Sequence, residues 1–361
     1  TTLGYGQTMA QRVFSMNETM NNDIIRHASA MAGKASFIAD DFAQALFPRT
    51  DVSFNDRMRS NARQYLRATI GQIEQRICRI ATDEMGVSHE TLAKIGQGSG
   101  GQSFRLLENS GLLKTTEIVQ HLFVKAQQGE LTARLLQKIS QQDLEATLTR
   151  HLDHADPVVA EAAMGLLVAQ SKSTGAAGEI SASLSDLPAE IAFALAWPVT
   201  AALARLSGLP GSQLQQATER MLAAHDESAS VARKSDRLAR LLEQIAETGD
   251  TIPHPMKDGL SLFIARLARR SGLTSDQIIG FTAEPNMVRF VVAMRAADFP
   301  TQDALSVFAA LDGDDHILTA ATYGETDQDR CLALVSSWAA PGAYQNAERI
   351  LADDSLGDQG K

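Results

Sequence analysis

The sequence predicts an all-α protein built from stacked helical hairpins, and three observations carry that reading. The first is a phrase that returns. Residues 268–278, Ala268-Arg269-Arg270-Ser271-Gly272-Leu273-Thr274-Ser275-Asp276-Gln277-Ile278, match 204–214, Ala204-Arg205-Leu206-Ser207-Gly208-Leu209-Pro210-Gly211-Ser212-Gln213-Leu214, at seven of eleven positions when Ile278 and Leu214 count as alike. Looser copies are Asn109-Ser110-Gly111-Leu112-Leu113 and Ala296-Ala297-Asp298-Phe299-Pro300. The phrase has a mechanical meaning: a helix ends, Gly takes the left-handed position, and the next apolar residue packs back on the last turn. Pro, Ser or Thr then opens the following helix. The second observation is composition. Hydrophobic residues make up 44% of the chain but aromatics only 5%, and an Ala- and Leu-rich interior is that of helices packing on helices. The third is apolar spacing of three and four residues over long stretches.

Taken in order, residues 8–47 carry such spacing at Val13, Met16, Met20, Ile24, Ala28 and Met31, then at Phe37, Ile38, Phe42, Leu46 and Phe47. Pro48 ends the second of these helices. A long helix is expected from about Asp56 to Met85, with Met58, Ala62, Tyr65, Thr69, Ile73, Ile77 and Ile80 on one stripe, widened by Leu66 and Ile70. Gly96-Gln97-Gly98-Ser99-Gly100-Gly101 interrupts the pattern. It lacks the Gly-Lys-Ser/Thr ending of a phosphate loop and follows no convincing strand, so it reads as a connector. Helices are expected at 103–109, 115–127, 130–139 and 142–152. Asp156 then caps a helix whose first residue is Pro157. The Ser- and Gly-rich stretch 171–187 reads as a linker. Beyond it helices are expected at about 188–206, 211–225 and 229–247, then an extended loop 249–255 held by Pro253 and Pro255. Further helices run from Gly259 to Leu311, from 315 to 323, from 327 to 339 and over 342–351. The expected division is N-terminal helices at 1–50, one helical-repeat subdomain at 51–170, the linker, a second at 188–352, and a frayed tail at 353–361.

The totals bound the function. A length of 361 residues suits two or three compact domains, or an array of about eight to ten helical pairs. The net charge is −10, most of it beyond residue 311, which disfavours broad nucleic-acid binding through that part. Cys78 and Cys331 have no CxxC or CxxH neighbour, so neither a zinc site nor a disulfide framework is expected, and a reducing cytoplasm fits best. Thr1–Phe14 shows no basic-then-apolar leader, and the longest apolar run, 191–204, is short and interrupted by Pro198. Secretion and membrane spanning are therefore both disfavoured.

The stretch Leu152-Asp153-His154-Ala155-Asp156-Pro157-Val158-Val159-Ala160-Glu161-Ala162-Ala163 resembles a HEAT-repeat junction, in which an acidic turn and Pro precede a helix. Three further stretches resemble the bacterial domain-of-unknown-function family 2336, a helical-repeat family: Arg57–Thr82, Leu106–Leu113 and Gly259–Ala268 running into the recurring phrase. The resemblance spans roughly residues 50 to 310. It implies a HEAT-like α-solenoid, and, since the family has no established activity, it implies no catalytic residues.

Few side chains suggest chemistry. His151, Asp153, His154 and Asp156 form the one compact cluster of metal-capable groups, and two imidazoles with a carboxylate would suit zinc. A helix exit and re-entry with Asp156 as cap explains the same residues and is preferred. His254, between two prolines, reads as a loop histidine rather than a base. Ser99 sits in no Gly-x-Ser-x-Gly elbow. Asp312-Gly313-Asp314-Asp315 lacks the alternation and closing Glu of a calcium loop, and reads as helix capping. Arg59, Arg63 and Arg67 lie four apart on the long helix. They could meet an anionic partner, or could equally be a solvated face paired with the chain's own acids.

The sequence therefore points to a non-enzymatic scaffold that binds a macromolecule, in the first instance a protein, with Arg59, Arg63 and Arg67 as the partner-binding residues and no catalytic residue or cofactor. The alternative is a metal sensor or enzyme on the same scaffold, using His151, Asp153, His154 and Asp156. A homo-oligomer joined through Phe263, Phe290 and Phe308 is the third reading.

Overall fold

The computed structural model describes residues 24–31, 56–87, 90–97, 102–139, 143, 146–147, 149–173, 183–245, 252–312, 320–340 and 344. Every described element is a helix or turn, so the chain is all-α. It forms two compact units: Lys34–Arg266, and Thr1–Gly33 together with Leu267–Lys361.

The larger unit is built on α1 (Asp56–Arg79). All nine stripe residues expected from the sequence are buried, Ile70, Ile73 and Ile77 completely. At its end the helix widens into a π-helical turn, Ile80–Glu84, whose Met85 N–H donates to the Ile80 carbonyl. The Thr82 hydroxyl donates to the Cys78 and Arg79 carbonyls, competing for backbone acceptors where the ladder loosens. α2 (Glu90–Gln97), α3 (Gln102–Ser110) and α4 (Thr116–Lys138) pack against α1. The Gly-rich stretch is thus partly helical, with Gly96 and Gln97 closing α2, while 98–101 lie outside the described residues.

α4 is one helix where the sequence suggests two. Gly129 sits in its middle, and an internal Gly costs about 1 kcal/mol relative to Ala. The burial of Leu122, Phe123, Leu131 and Leu135, at about 1.5 to 3 kcal/mol for each large apolar side chain, outweighs it.

α5 (Pro157–Ser173) opens as expected: the Asp156 carboxylate accepts from Val158 N–H at 2.8 Å. α6 (Ala189–Ser207), α7 (Gly211–Ala223) and α8 (Val231–Ile245) follow. Residues on both sides of 171–187 belong to one unit, so the compact division falls not at that stretch but within the helix Leu260–Ser271. The reason is packing across it. α6 lies against α1 and α3. α8 lies against α5, joining Leu238 and Ala239 to Val159, Ala162, Ala163 and Leu166 in one apolar cluster with Leu262 and Ala265. Pro198 does not interrupt α6, and among the described residues α6 is the one helix long and apolar enough to cross a membrane by length and composition.

The expected loop 249–255 contains instead the start of a short helix, α9 (Pro255–Asp258), leading into α10 (Leu260–Ser271). The smaller unit adds α11 (Ser275–Phe281), α12 (Val288–Ala296), α13 (Thr301–Asp312), α14 (Ala320–Gly324) and α15 (Gln328–Trp338). Phe263 and Phe290 are fully buried and Phe308 is 4% exposed. They are core residues of this chain, so an oligomer joined through them would have to unfold it.

The recurring phrase does the work expected of it. Gly111, Gly208, Gly272 and, in the fourth copy, Asp298 all have φ between 57° and 78°. At the third and fourth copies Leu273 N–H donates to the Ala268 carbonyl and Phe299 N–H to that of Met294, and both side chains are buried, a Schellman closure with its apolar contact. Thr274 then forms a complete capping box with Gln277. Of the expected helix 342–351 only Tyr344, which is helical, is described, and the tail from 353 and the acidic start of the helix near residue 315 lie outside the described residues.

Candidate functional site

The densest buried polar group gathers around Asp258, at the end of α9. Pro255 starts that helix and His254 caps it: His254 Nδ1 accepts from Met256 N–H at 3.2 Å, and His254 N–H donates to Asp258 Oδ2 at 3.0 Å. Gly259 follows at φ 74°, ψ 156°, a conformation open in practice to glycine alone. The chain can turn at once into α10, which delivers Arg266. Its side chain is 3% exposed, with Nε 2.7 Å from Glu243 Oε1 on α8 and Nη1 3.3 Å from Asp258 Oδ2. Arg150 Nη1 and His151 Nε2 each approach Asp258 Oδ1 to 3.8 Å. Both are too long for hydrogen bonds, and of the two only Arg150 brings a fixed charge. The Thr147 hydroxyl donates to the Met256 carbonyl at 3.1 Å and ties the preceding segment to α9.

Burial pushes the Asp258 carboxyl up, but His151, Arg266, the His254 N–H and Arg150 together more than reverse this and hold it below the usual carboxylate range. Beside the group, Thr147, His151, Gln170 and Asp258 share a cavity with the apolar side chains of Ala163, Leu166, Leu167, Leu238 and Leu262. About 20 Å³ of it is open to the centre of a water molecule, space for about one water. A metabolite does not fit. The arrangement can lock α8, α9 and α10 together through charge, and it offers no room for a reacting molecule.

The four metal-capable residues are not brought together on one centre. His151 turns to Asp258, Asp156 caps α5, His154 Nδ1 accepts from Asp156 N–H at 3.0 Å, and Asp153 is exposed. Among the described residues no three His, Cys, Asp or Glu side chains are grouped to hold a metal ion. His254 is a helix cap. Both cysteines are buried, and burial first, then Glu74, pushes the Cys78 thiol up to about 12. A thiol held that high supplies almost no thiolate at neutral pH.

The arginines are on one face of α1 as expected, but two are engaged. Arg59 Nη2 is 3.0 Å from Asp56 Oδ1. Arg63 grips Glu108 of α3 with Nε and Nη2, at 2.8 and 2.9 Å, and its guanidinium lies 6.0 Å from the Phe104 ring centre. Arg67 is exposed and pairs with no acid among the described residues. Exposed pairs of this kind are worth about 0 to 1 kcal/mol, so a partner's carboxylate can displace them.

Sequence reading passed over Asp258, Arg266 and Glu243. A signal existed: Arg266 is the one charged residue in Leu260–Ala268, and a cation inside an apolar helical run needs a buried acid. No family model matches the chain, and neither curated proteins nor solved structures returned a match.

Proposed function

We propose that this chain is a HEAT-like helical-repeat scaffold that works by binding another protein on the outward face of α5. The observation that carries this reading is a pair of large apolar side chains exposed on the outer side of α5. Its inner side joins the cluster with Leu238 and Leu262. Its outer side presents Met164 and Val168, one turn apart, at 49% and 43% exposure, with exposed Glu161 one turn before Met164. Two large apolar side chains held in the open on one face are explained by a partner presenting its own apolar ridge, with Glu161 at the rim of the contact. Arg67, with Arg63 and Arg59, offers an acidic partner segment a separate charged contact. The repeat architecture rests on the recurring phrase and its left-handed Gly208 and Gly272. Kinship with the domain-of-unknown-function family 2336 is part of the same proposal and rests on the three stretches that resemble it. A cytoplasmic setting rests on the two cysteines being free thiols.

The test compares full-length wild type with Met164→Glu/Val168→Glu and with Arg59→Glu/Arg63→Glu/Arg67→Glu as baits in extract of the cell that makes the protein. A protein retained by wild type and lost from the α5 variant, with circular dichroism unchanged, is the expected outcome. Identical retention by wild type and the α5 variant, or no retained protein, overturns the reading.

A further inference from the structure

A second surface stands apart from α5. On α6, Glu190, Phe193, Ala194, Trp197, Ala201, Ala204 and Arg205 fall within one face at 100° per residue. Phe193 is 59% exposed and Trp197 half-buried, their rings 6.1 Å apart and edge to face at 72°. Between Glu190 and Arg205 this face holds no charged or polar side chain. Both end charges are exposed and pair with no opposite charge among the described residues. The pattern is asymmetric along the helix, with the acid and the aromatics toward the N-terminal half and Ala201, Ala204 and the base toward the C-terminal half.

From that asymmetry we infer that the α6 face is the contact of a two-fold homodimer, in which α6 of one copy lies antiparallel on α6 of another. Centring the pair between Trp197 and Pro198 brings Glu190 of each copy opposite Arg205 of the other. The same register sets Phe193 over the Ala201 end, large against small, and Trp197 beside its counterpart at the centre of the seam. A two-fold contact must be self-complementary in this way. A parallel pairing fails the requirement, since it stacks Glu190 on Glu190 and Arg205 on Arg205, and like-charge juxtaposition selects against it. One helix face per copy is a small contact, so the dimer is a reversible one, at the transient end of the range. The inference does not depend on the role assigned to α5.

The test is sedimentation velocity of the full chain from about 1 to about 300 µM, the range in which a contact of this size assembles. Wild type is expected to shift from monomer toward dimer, and Phe193→Glu and Trp197→Glu to remain monomeric with unchanged circular dichroism. Glu190→Arg and Arg205→Glu, which create two like-charge contacts each, are each expected to weaken the dimer about tenfold. The Glu190→Arg/Arg205→Glu double variant is expected to recover it. A wild-type chain that stays monomeric throughout overturns the inference, and so does a double variant as weak as the singles, which would mean that the two charges do not face each other. Flotation with phosphatidylcholine vesicles, lost in Phe193→Glu while the chain stays monomeric, would assign the face to a lipid surface and also overturn it.

Discussion

Asp258 in the larger unit and Glu284 in the smaller one are both buried carboxylates beside a buried arginine, yet their protons are held oppositely. Asp258 faces Arg266, Arg150, His151 and the His254 N–H, and its carboxyl is held low despite burial. Among the described residues Glu284 has one cationic neighbour, Arg289, whose Nε and Nη2 both reach Oε1, while Oε2 is buried without a hydrogen-bond partner. Burial pushes Glu284 up, and Arg289 does not fully pull it back. Arg289 itself is divided, its guanidinium lying 4.2 Å from the Phe281 ring centre and 5.8 Å from that of Trp338. Both sites are buried. Two arginines face the Asp258 carboxylate and one faces that of Glu284, and that difference in positive charge decides which way the proton goes.

The largest expected effect follows from the first site. Asp258→Asn removes the carboxylate charge that Arg266 faces at 3.3 Å and should cost about 3 to 5 kcal/mol, the range for breaking a buried ion pair from one side. Urea unfolding at neutral pH measures it, and a loss below about 1 kcal/mol would mean that the cluster is no lock. The pH dependence has a definite sign. A carboxyl held low in the folded state adds stability above its unfolded pKa and loses it as pH falls through the depressed folded value. The gap between wild type and Asp258→Asn should therefore close on acidification.

Glu284→Gln should cost less, about 1 to 2 kcal/mol, because the amide keeps an acceptor for Arg289 and loses mainly the charge assistance. Its pH dependence runs the other way. A carboxyl held high in the folded state binds its proton there first, so wild-type stability rises as pH falls from the raised folded value toward the ordinary 4.5. The gap between wild type and Glu284→Gln should widen over that window. Two gaps moving in the same direction would break the comparison.

These two sites also mark where sequence reading stops. The long helix was legible because Met58 to Ile80 repeat at helical steps, and the left-handed turns because Gly111, Gly208 and Gly272 follow Ser in a recurring phrase. Asp156 was legible as a cap because Pro157 follows it. None of those signals reaches further than one turn or one helix. Asp258 meets Arg150, His151 and Arg266, and Arg266 meets Glu243, through tertiary contact, which leaves no period in the sequence. The backbone at Glu284-Pro285-Asn286-Met287 was equally hidden. Asn286 and the buried Met287 both adopt positive φ, 63° and 49°, and for Met that conformation is held by surrounding packing rather than by local preference.

The smallest effect sharpens the comparison by removing the arginine altogether. Glu74 on α1 is fully buried, and Oε1 accepts from Ser103 N–H at 3.0 Å, docking the start of α3. Oε2 and the Ser103 hydroxyl are both buried without hydrogen-bond partners. Burial pushes this carboxyl up, and the Ser103 contacts only moderate it. With no cation to retain, Glu74→Gln keeps the acceptor for Ser103 N–H, relieves the burial of charge, and gives the Ser103 hydroxyl a donor within its own side chain's reach. It should be neutral or stabilising by up to about 1 kcal/mol at neutral pH, while Glu74→Ala, which strands the N–H, should cost about 1 to 3 kcal/mol. Equilibrium unfolding of both variants measures this. Wild type should lose stability as pH rises from 4.5 toward the raised folded value, and Glu74→Gln should flatten that loss. A glutamine variant as damaged as the alanine one would mean that Glu74 is needed as a charge, and that the number of neighbouring arginines alone does not set the proton on a buried carboxylate in this fold.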